Sequence, residues 1–198
     1  MKRLPRCLLA LLILSFLAMP ALAGLQEDVD AAVAARNRRE FAKAIKLVSE
    51  IIRKGGLPKV AMGELYVMRG VFWQEQHEYY RAIVDYGHAA KLMPERGEPH
   101  NNMAWILATC WNEAYRNGEL AVRHAERAVK LLKESAPSLD TLAAAYAEAG
   151  RFPEAVATQE RVVAMCEKQP EGCNLASARR HLAAYREGQA WRDTSARP

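Results

Sequence analysis

The sequence lacks the residue patterns that catalytic and metal-binding sites require. It has no Cys-x-x-Cys pair, no His-Glu-x-x-His motif and no glycine-rich phosphate loop. Its five histidines are scattered along the chain, and the combination of His181 with Cys166 and Cys173 fits no zinc spacing. We therefore expect a protein that is not an enzyme, has no catalytic residues, and binds no metal and no cofactor.

Alternating strand patterns and runs of like charge are also missing. Apolar residues recur instead at intervals of three and four, which predicts helices throughout and an all-α fold. Residues 1–23 contain three basic residues and no acidic residue, so the rest of the chain has 25 basic against 23 acidic side chains. With a net charge of only +2 spread along helices, the chain is not expected to bind nucleic acid.

The first 23 residues have the organisation of a signal peptide. A basic start is followed by an apolar run at residues 7–19, then by Pro20 and the small-residue end Ala21-Leu22-Ala23. Cleavage after Ala23 would leave a chain that begins at Gly24 and is not held in the membrane. The alternative is an uncleaved anchor, although the apolar run is shorter than the roughly 20 residues of a spanning helix. We expect an exported protein, periplasmic or extracellular.

A helical unit recurs four times along residues 24–169. Each unit is marked by an alanine at the same point of its second helix, and these alanines are 38, 39 and 34 residues apart: Ala44, Ala82, Ala121 and Ala155. The longer intervals fit a 34-residue period if four and five residues are inserted in turns, the later insertion lying at 110–117. Small residues at such positions let two helices approach to about 8–10 Å.

The periodicity predicts nine helices. Eight of them form pairs, and the ninth, amphipathic, suits the capping of the last pair. The predicted ranges are 25–38, 40–54, 60–75, 79–93, 99–110, 118–134, 138–149, 154–167 and 174–187.

The second and fourth units resemble the tetratricopeptide-repeat (TPR) family. The second has aromatic, small and alanine residues at the TPR spacing, namely Tyr66, Gly70, Trp73, Ala82, Tyr86, Ala89 and Pro94. Segments 101–110, 139–156 and 183–193 are also similar to a narrower set of exported bacterial TPR proteins. One departure is Gln189-Ala190-Trp191, where a proline is expected before the aromatic residue.

The resemblance implies a fold and a mode of action. The fold would be a right-handed α-α superhelix of about four helix pairs plus a C-terminal capping helix, preceded by the signal peptide. The TPR domain at 24–198 would contain repeats at about 25–58, 63–96, 97–135 and 136–169, with the cap at 174–187. In that family such repeats serve as adaptors, so the implied partner is another protein.

The inner face of a TPR stack is lined by the first helix of each pair, and this face is the expected binding groove. We expect it to bind a peptide segment of the partner, with Trp105 as an anchor and Asn101 bonding to peptide backbone. The alternative for Trp105 is packing in the core. The predicted lining residues are Val67, Val71, Gln74, Glu75, Asn101, Trp105, Asp140, Ala144 and Glu148.

Three cysteines follow the predicted cleavage site. Cys166 and Cys173 are separated by six residues that include Pro170 and Gly172, so a turn can bring them together, and we predict a disulfide. Cys110 ends an apolar helix and is expected to be a buried thiol.

These observations favour a non-catalytic scaffold of the cell envelope that binds a peptide segment. An alternative is a structural component that self-associates through repeat edges and exposed aromatics such as Trp111 and Trp191. A weaker alternative is a thiol-redox protein that uses Cys166 and Cys173.

Overall fold

The computed structural model describes residues 24–171 and 173–194, so the predicted signal peptide lies outside the described residues. In this part the regular structure is helical, apart from one isolated bridge between Cys110 and Asp193. No helix in these ranges combines the length and apolarity that crossing a membrane requires. The chain divides into two compact units between Gly56 and Leu57.

The described part of the first unit is one pair of helices. Helix α1 covers residues 24–37 and α2 runs Phe41–Lys54. Ala32 and Ala35 on α1 and Ala44 on α2 have no exposed surface, in keeping with close helix packing through small side chains. The chain reverses between the helices at Arg39, which has a positive φ of 61°.

The described part of the second unit contains seven α-helices and one short 3₁₀ helix. Their bounds are α3 Lys59–Glu75, α4 Tyr79–Leu92, α5 Glu98–Thr109, the 3₁₀ helix Glu113–Tyr115, α6 Gly118–Leu131, α7 Ala136–Glu148, α8 Phe152–Lys168 and α9 Leu175–Arg186. Helix α6 ends three residues before the predicted position because Lys133 and Glu134 adopt positive φ angles of 52° and 55°. Helix α7 begins two residues early, with Pro137 in its first turn, where proline is tolerated.

Helices of the second unit pack in chain order. The pairs α3–α4, α5–α6 and α7–α8 are each in contact, and α8 is covered by α9. Helices α5 and α7 also pack against each other, so the first helices of neighbouring pairs adjoin. At Gly70 a Cβ atom would lie 2.6 Å from the Tyr86 ring, which explains why that position is glycine. The fold is therefore the predicted all-α helical repeat.

A buried ion pair links α3 to α4. Arg69 donates from Nε to Asp85 Oδ2 at 2.7 Å and from its terminal nitrogen to Oδ1 at 2.8 Å. The Asp85 side chain is 4% exposed. This two-point contact raises the pKa of Arg69 and gives the carboxylate charged donors in the core.

The insertion between α5 and α6 forms a short, well-bonded connection. Asn117 donates its backbone N–H to Leu107 O at 2.9 Å and caps α6 by accepting from Leu120 N. Gly118 follows, where a Cβ atom would lie 2.6 Å from the backbone nitrogen of Ala149. The inserted residues thus bring the start of α6 against the end of α7.

Candidate functional site

The predicted groove residues on α3 lie at the edge of the hydrophobic core. Val67 and Val71 are half-buried and pack on a cluster that includes Tyr86 and Met103. Gln74 accepts a hydrogen bond from the Tyr86 hydroxyl at 3.0 Å. Glu75, one turn from Val71, is half-buried as well.

Helix α5 contributes the two residues that were predicted to contact a peptide. Asn101 has a buried Oδ1 atom with no hydrogen-bond partner among residues 24–171 and 173–194. Trp105 is half-buried and packs against the core formed by α5, α6 and α7, while it also lines a cavity described below. Trp105 therefore contributes both to the hydrophobic core and to the wall of this cavity.

The three predicted residues on α7 have different surroundings. Ala144 is 1% exposed and lies in the core. Glu148 is paired with two arginines, Arg116 at 3.0 Å and Arg192 at 2.7 Å. Asp140 lines the same cavity as Trp105. Of the three, Asp140 is the one that lines this cavity.

This cavity lies between α7, α9 and the C-terminal tail, which we define as residues 189–194. We call it the α7–α9 cavity. Its volume is about 470 Å³, within the usual range of ligand sites. It is lined by Trp105, Ala136, Pro137, Asp140, Val162, Cys166, Cys173, Asn174, Ser177, Ala178, His181, Trp191 and Asp193.

A connected polar group forms one side of the cavity. Asp140 Oδ1 lies 2.9 Å from His181 Nδ1 and accepts from Gln159 Nε2 at 2.7 Å. The other ring nitrogen of His181 is 3.4 Å from Ser177 Oγ. These bonds hold the Asp140 carboxylate in one orientation, since both partners are buried.

Aromatic rings surround His181. The Trp191 ring centre is 4.4 Å from the imidazole centre, and the Trp105 ring centre is 6.1 Å away on α5. Tyr185 packs one turn further along α9, at 6.4 Å. Burial of the Tyr185 hydroxyl, which has no partner within the described chain, raises its pKa. The lining of the cavity thus includes two indole rings and the Asp140 carboxylate.

The tail reaches the cavity by returning from α9 to the end of α5. Asp193 donates its backbone N–H to Thr109 O at 2.8 Å, and Arg192 pairs with Glu148. Trp191 packs against the core of α5, α6 and α7 as well as on His181. The tail is therefore an extended segment bound by both main-chain and side-chain contacts, as a peptide would be.

Ser177, His181 and Asp140 are the residue types of a hydrolytic triad, but their geometry differs from that of such a triad. Ser177 and His181 stand one turn apart on a single helix, and their contact is at the long limit of a hydrogen bond. His181 is 3% exposed, with the Trp191 ring against it, which leaves little room for a reacting group. The arrangement fixes Asp140 and shapes the wall.

The cysteines occupy two different environments. Cys166 and Cys173, the predicted pair, are joined by a disulfide that ties the end of α8 to the start of α9 and lines the cavity. Cys110 is a buried free thiol whose pKa is raised by burial. This environment disfavours the thiolate and hence nucleophilic reactivity at Cys110.

Sequence reasoning missed His181, Trp191 and Asp193 as members of the site. Segment 183–193 was noted for its resemblance to other proteins, but that resemblance gave no position in space for its residues. The ion pair between Arg192 and Glu148 joins residues 44 positions apart, and no local sequence pattern predicts such a contact.

Comparison with solved structures identifies the architecture. A crystal structure of MamA has a TM-score of 0.65 with 16% identity, over 82% of this chain and 81% of that one. The nearly identical TPR-like repeats of a Podosopora anserina kinesin light chain also give 0.65, at 17% identity, over 83% and 86%. No family model matches the sequence, and no curated protein matches it significantly. At these identities the likeness shows the fold, which is that of TPR proteins.

Proposed function

We propose that the protein is a non-catalytic scaffold of the cell envelope that binds a peptide segment of another protein. The observation that carries this proposal is the α7–α9 cavity, which combines apolar walls with an oriented carboxylate. Its lining includes residues of α5 and α7, the first helices of two neighbouring pairs, which pack against each other. The bound tail supports it, because an extended segment of the chain itself makes backbone contacts beside the cavity. TPR-fold neighbours are in keeping with a binding role.

Photo-crosslinking in living cells tests the binding site. A photoreactive residue at Trp105 should trap one specific partner, whereas the same residue at Tyr80 on α4, which is 69% exposed, should not. Mass spectrometry identifies the trapped protein. Trapping nothing, or the same set of proteins from both positions, would contradict binding at the α7–α9 cavity.

The envelope location is proposed from the signal-like residues 1–23. Mass spectrometry of the protein isolated from an osmotic-shock fraction should give a chain that begins at Gly24. Recovery of the intact chain from the cytosol would count against export, and recovery of the intact chain in membranes would favour the anchor.

Self-association is the alternative to the scaffold function. Light scattering over a wide concentration range distinguishes the two hypotheses, because a protein that stays monomeric throughout would count against self-association. Trp111 and Trp191, on which this alternative relied, are half-buried, and Trp191 is packed on His181. A thiol-redox role would require an accessible, reactive pair, but Cys166 is 1% exposed. The described contacts therefore favour the scaffold.

A further inference from the structure

The charged side chains that line the α7–α9 cavity are acidic. Two acidic residues line it, Asp140 from α7 and Asp193 from the tail, and the described residues of its lining include no lysine or arginine. The nearby Arg192 pairs with Glu148 instead. A ligand group that complements the Asp140 carboxylate is therefore positive.

Asp140 has one oxygen available for such a group. Both of its hydrogen bonds within the described chain, from Gln159 and His181, reach Oδ1. Oδ2 accepts none from residues 24–171 and 173–194, and the side chain is 22% exposed. The carboxylate is thus held in place by buried partners while part of it faces the cavity.

The two tryptophans suit a flat cation with an apolar stem. Indole faces attract cations and pack against methylene groups, and a guanidinium does both while keeping its in-plane N–H groups for a carboxylate. Guanidinium groups lie over aromatic rings elsewhere in the protein: Arg81 is 4.6 Å from the Trp73 ring centre, and Arg151 is 4.4 Å from the Tyr146 ring centre. An ammonium, more strongly hydrated, gains less from such walls.

We infer that the α7–α9 cavity takes an arginine side chain of the partner, with the guanidinium between Trp105 and Trp191 and its N–H groups donating to Asp140. This inference rests on the proposed function and specifies its partner as a segment with an exposed arginine. The tail, whose Asp193 N–H donates to Thr109 O, contributes Trp191 and Asp193 to the wall of this cavity.

Small probes test the cavity without knowledge of the partner. N-acetyl-arginine methylamide, titrated into the full chain, should shift the indole N–H NMR signals of Trp105 and Trp191. Trp73, one of the four tryptophans and outside the cavity, is the internal control. The citrulline analogue has nearly the same shape without the charge and should bind at least about tenfold more weakly.

Two variants check the role of the carboxylate. Asp140→Asn keeps an oxygen for Gln159 and His181 but removes the charge, so it should weaken arginine binding about tenfold. Glu160→Gln, on the exposed surface of α8, should leave it unchanged. Equal binding of arginine and citrulline by the unaltered protein, or stronger binding of the lysine analogue, would overturn the inference even if Asp140→Asn failed to fold.

The same variants separate this inference from the scaffold function. A photoreactive residue at Asn174, an exposed position that lines the cavity, leaves both tryptophans in place. If it traps a partner equally well with and without the Asp140→Asn substitution, the arginine inference fails and the scaffold stands. If the arginine probe binds in the cavity but no partner is trapped, the cavity chemistry stands and the scaffold proposal fails.

Discussion

At the scale of single residues, stability depends on polar groups that are buried with their partners. Asp85 is the strongest case, since its charge is compensated by one side chain, Arg69, through two bonds. Removal of one member leaves the other charged in the core, which costs more than the pair itself contributes.

Asp85→Ala should therefore lower the free energy of unfolding by about 3–5 kcal/mol. Glu160→Gln breaks the exposed pair with Arg186 and should change it by less than about 1 kcal/mol. Urea denaturation followed by circular dichroism measures both. Similar small effects from the two variants would show that the Arg69–Asp85 pair is not compensated as described.

Two histidines at the α5–α6 contact make stability depend on pH. His100 and His124 approach within 2.9 Å through their Nδ1 atoms, and burial, helped by the neighbouring His100, lowers the pKa of His124 from 6.5 to about 4. The unfolded chain then binds a proton more readily than the folded one. Stability should be full above about pH 6.5 and decline as the pH falls toward 4.

His124→Gln should flatten this decline, because the glutamine does not titrate. His77→Asn changes an exposed turn position with positive φ, which asparagine tolerates, and should leave the decline in place. Thermal denaturation between pH 4 and 7 supplies the comparison. A decline of the same size in His124→Gln would assign it to other groups.

At the scale of elements, the tail stabilises the helices that it crosses. Trp191→Ala removes the ring from His181 and from the core of α5, α6 and α7, and should cost about 2–3 kcal/mol. Trp191→Phe retains an aromatic ring and should cost less. Hydrogen exchange at the Asp193 amide reports whether the tail is released; unchanged protection in Trp191→Ala would mean that Trp191 does not hold it.

The disulfide makes a second element-scale contribution. Cys166 and Cys173 enclose a loop with a sequence separation of 7, for which chain entropy gives about 2–3 kcal/mol. Serine at both positions should lower the unfolding free energy by this amount, and dithiothreitol should lower that of the unaltered protein similarly. Cys110→Ala should still show the dithiothreitol effect, because Cys110 is outside the bond.

The elements themselves follow from local sequence to a large extent. Alanines such as Ala82 and glycines such as Gly70 mark helix contacts that the structure contains, because the fit between paired helices depends on side chains a few turns apart. The end of α6 was missed because its left-handed residues, Lys133 and Glu134, include no glycine to indicate a stop.

The site follows from sequence only in part. Trp105 and Asp140 were selected from repeat register alone, and both line the cavity. His181 and Trp191 complete it through a chain return that no periodic pattern encodes. The same return pairs Glu148 with Arg192, so a residue selected for a partner is engaged internally.

At the scale of the whole molecule, the unit beginning at Leu57 has a core of its own. Three hydrophobic clusters are built from its own residues, between 67 and 191. A fragment of residues 57–198 should therefore unfold cooperatively on heating. Residues 24–56, a single helix pair, are too few to fold alone. A fragment 57–198 without a thermal transition would contradict this division.

The return of the tail also limits how this protein can vary in repeat number. Solenoids usually tolerate gain or loss of repeats, because each repeat contacts only its neighbours. Here Asp193 and Arg192 must reach Thr109 on α5 and Glu148 on α7 from the end of α9. A repeat added between α8 and α9 would carry the tail away from both anchors. Duplication of a repeat at that point would therefore cost the chain both its tail contacts and its cavity.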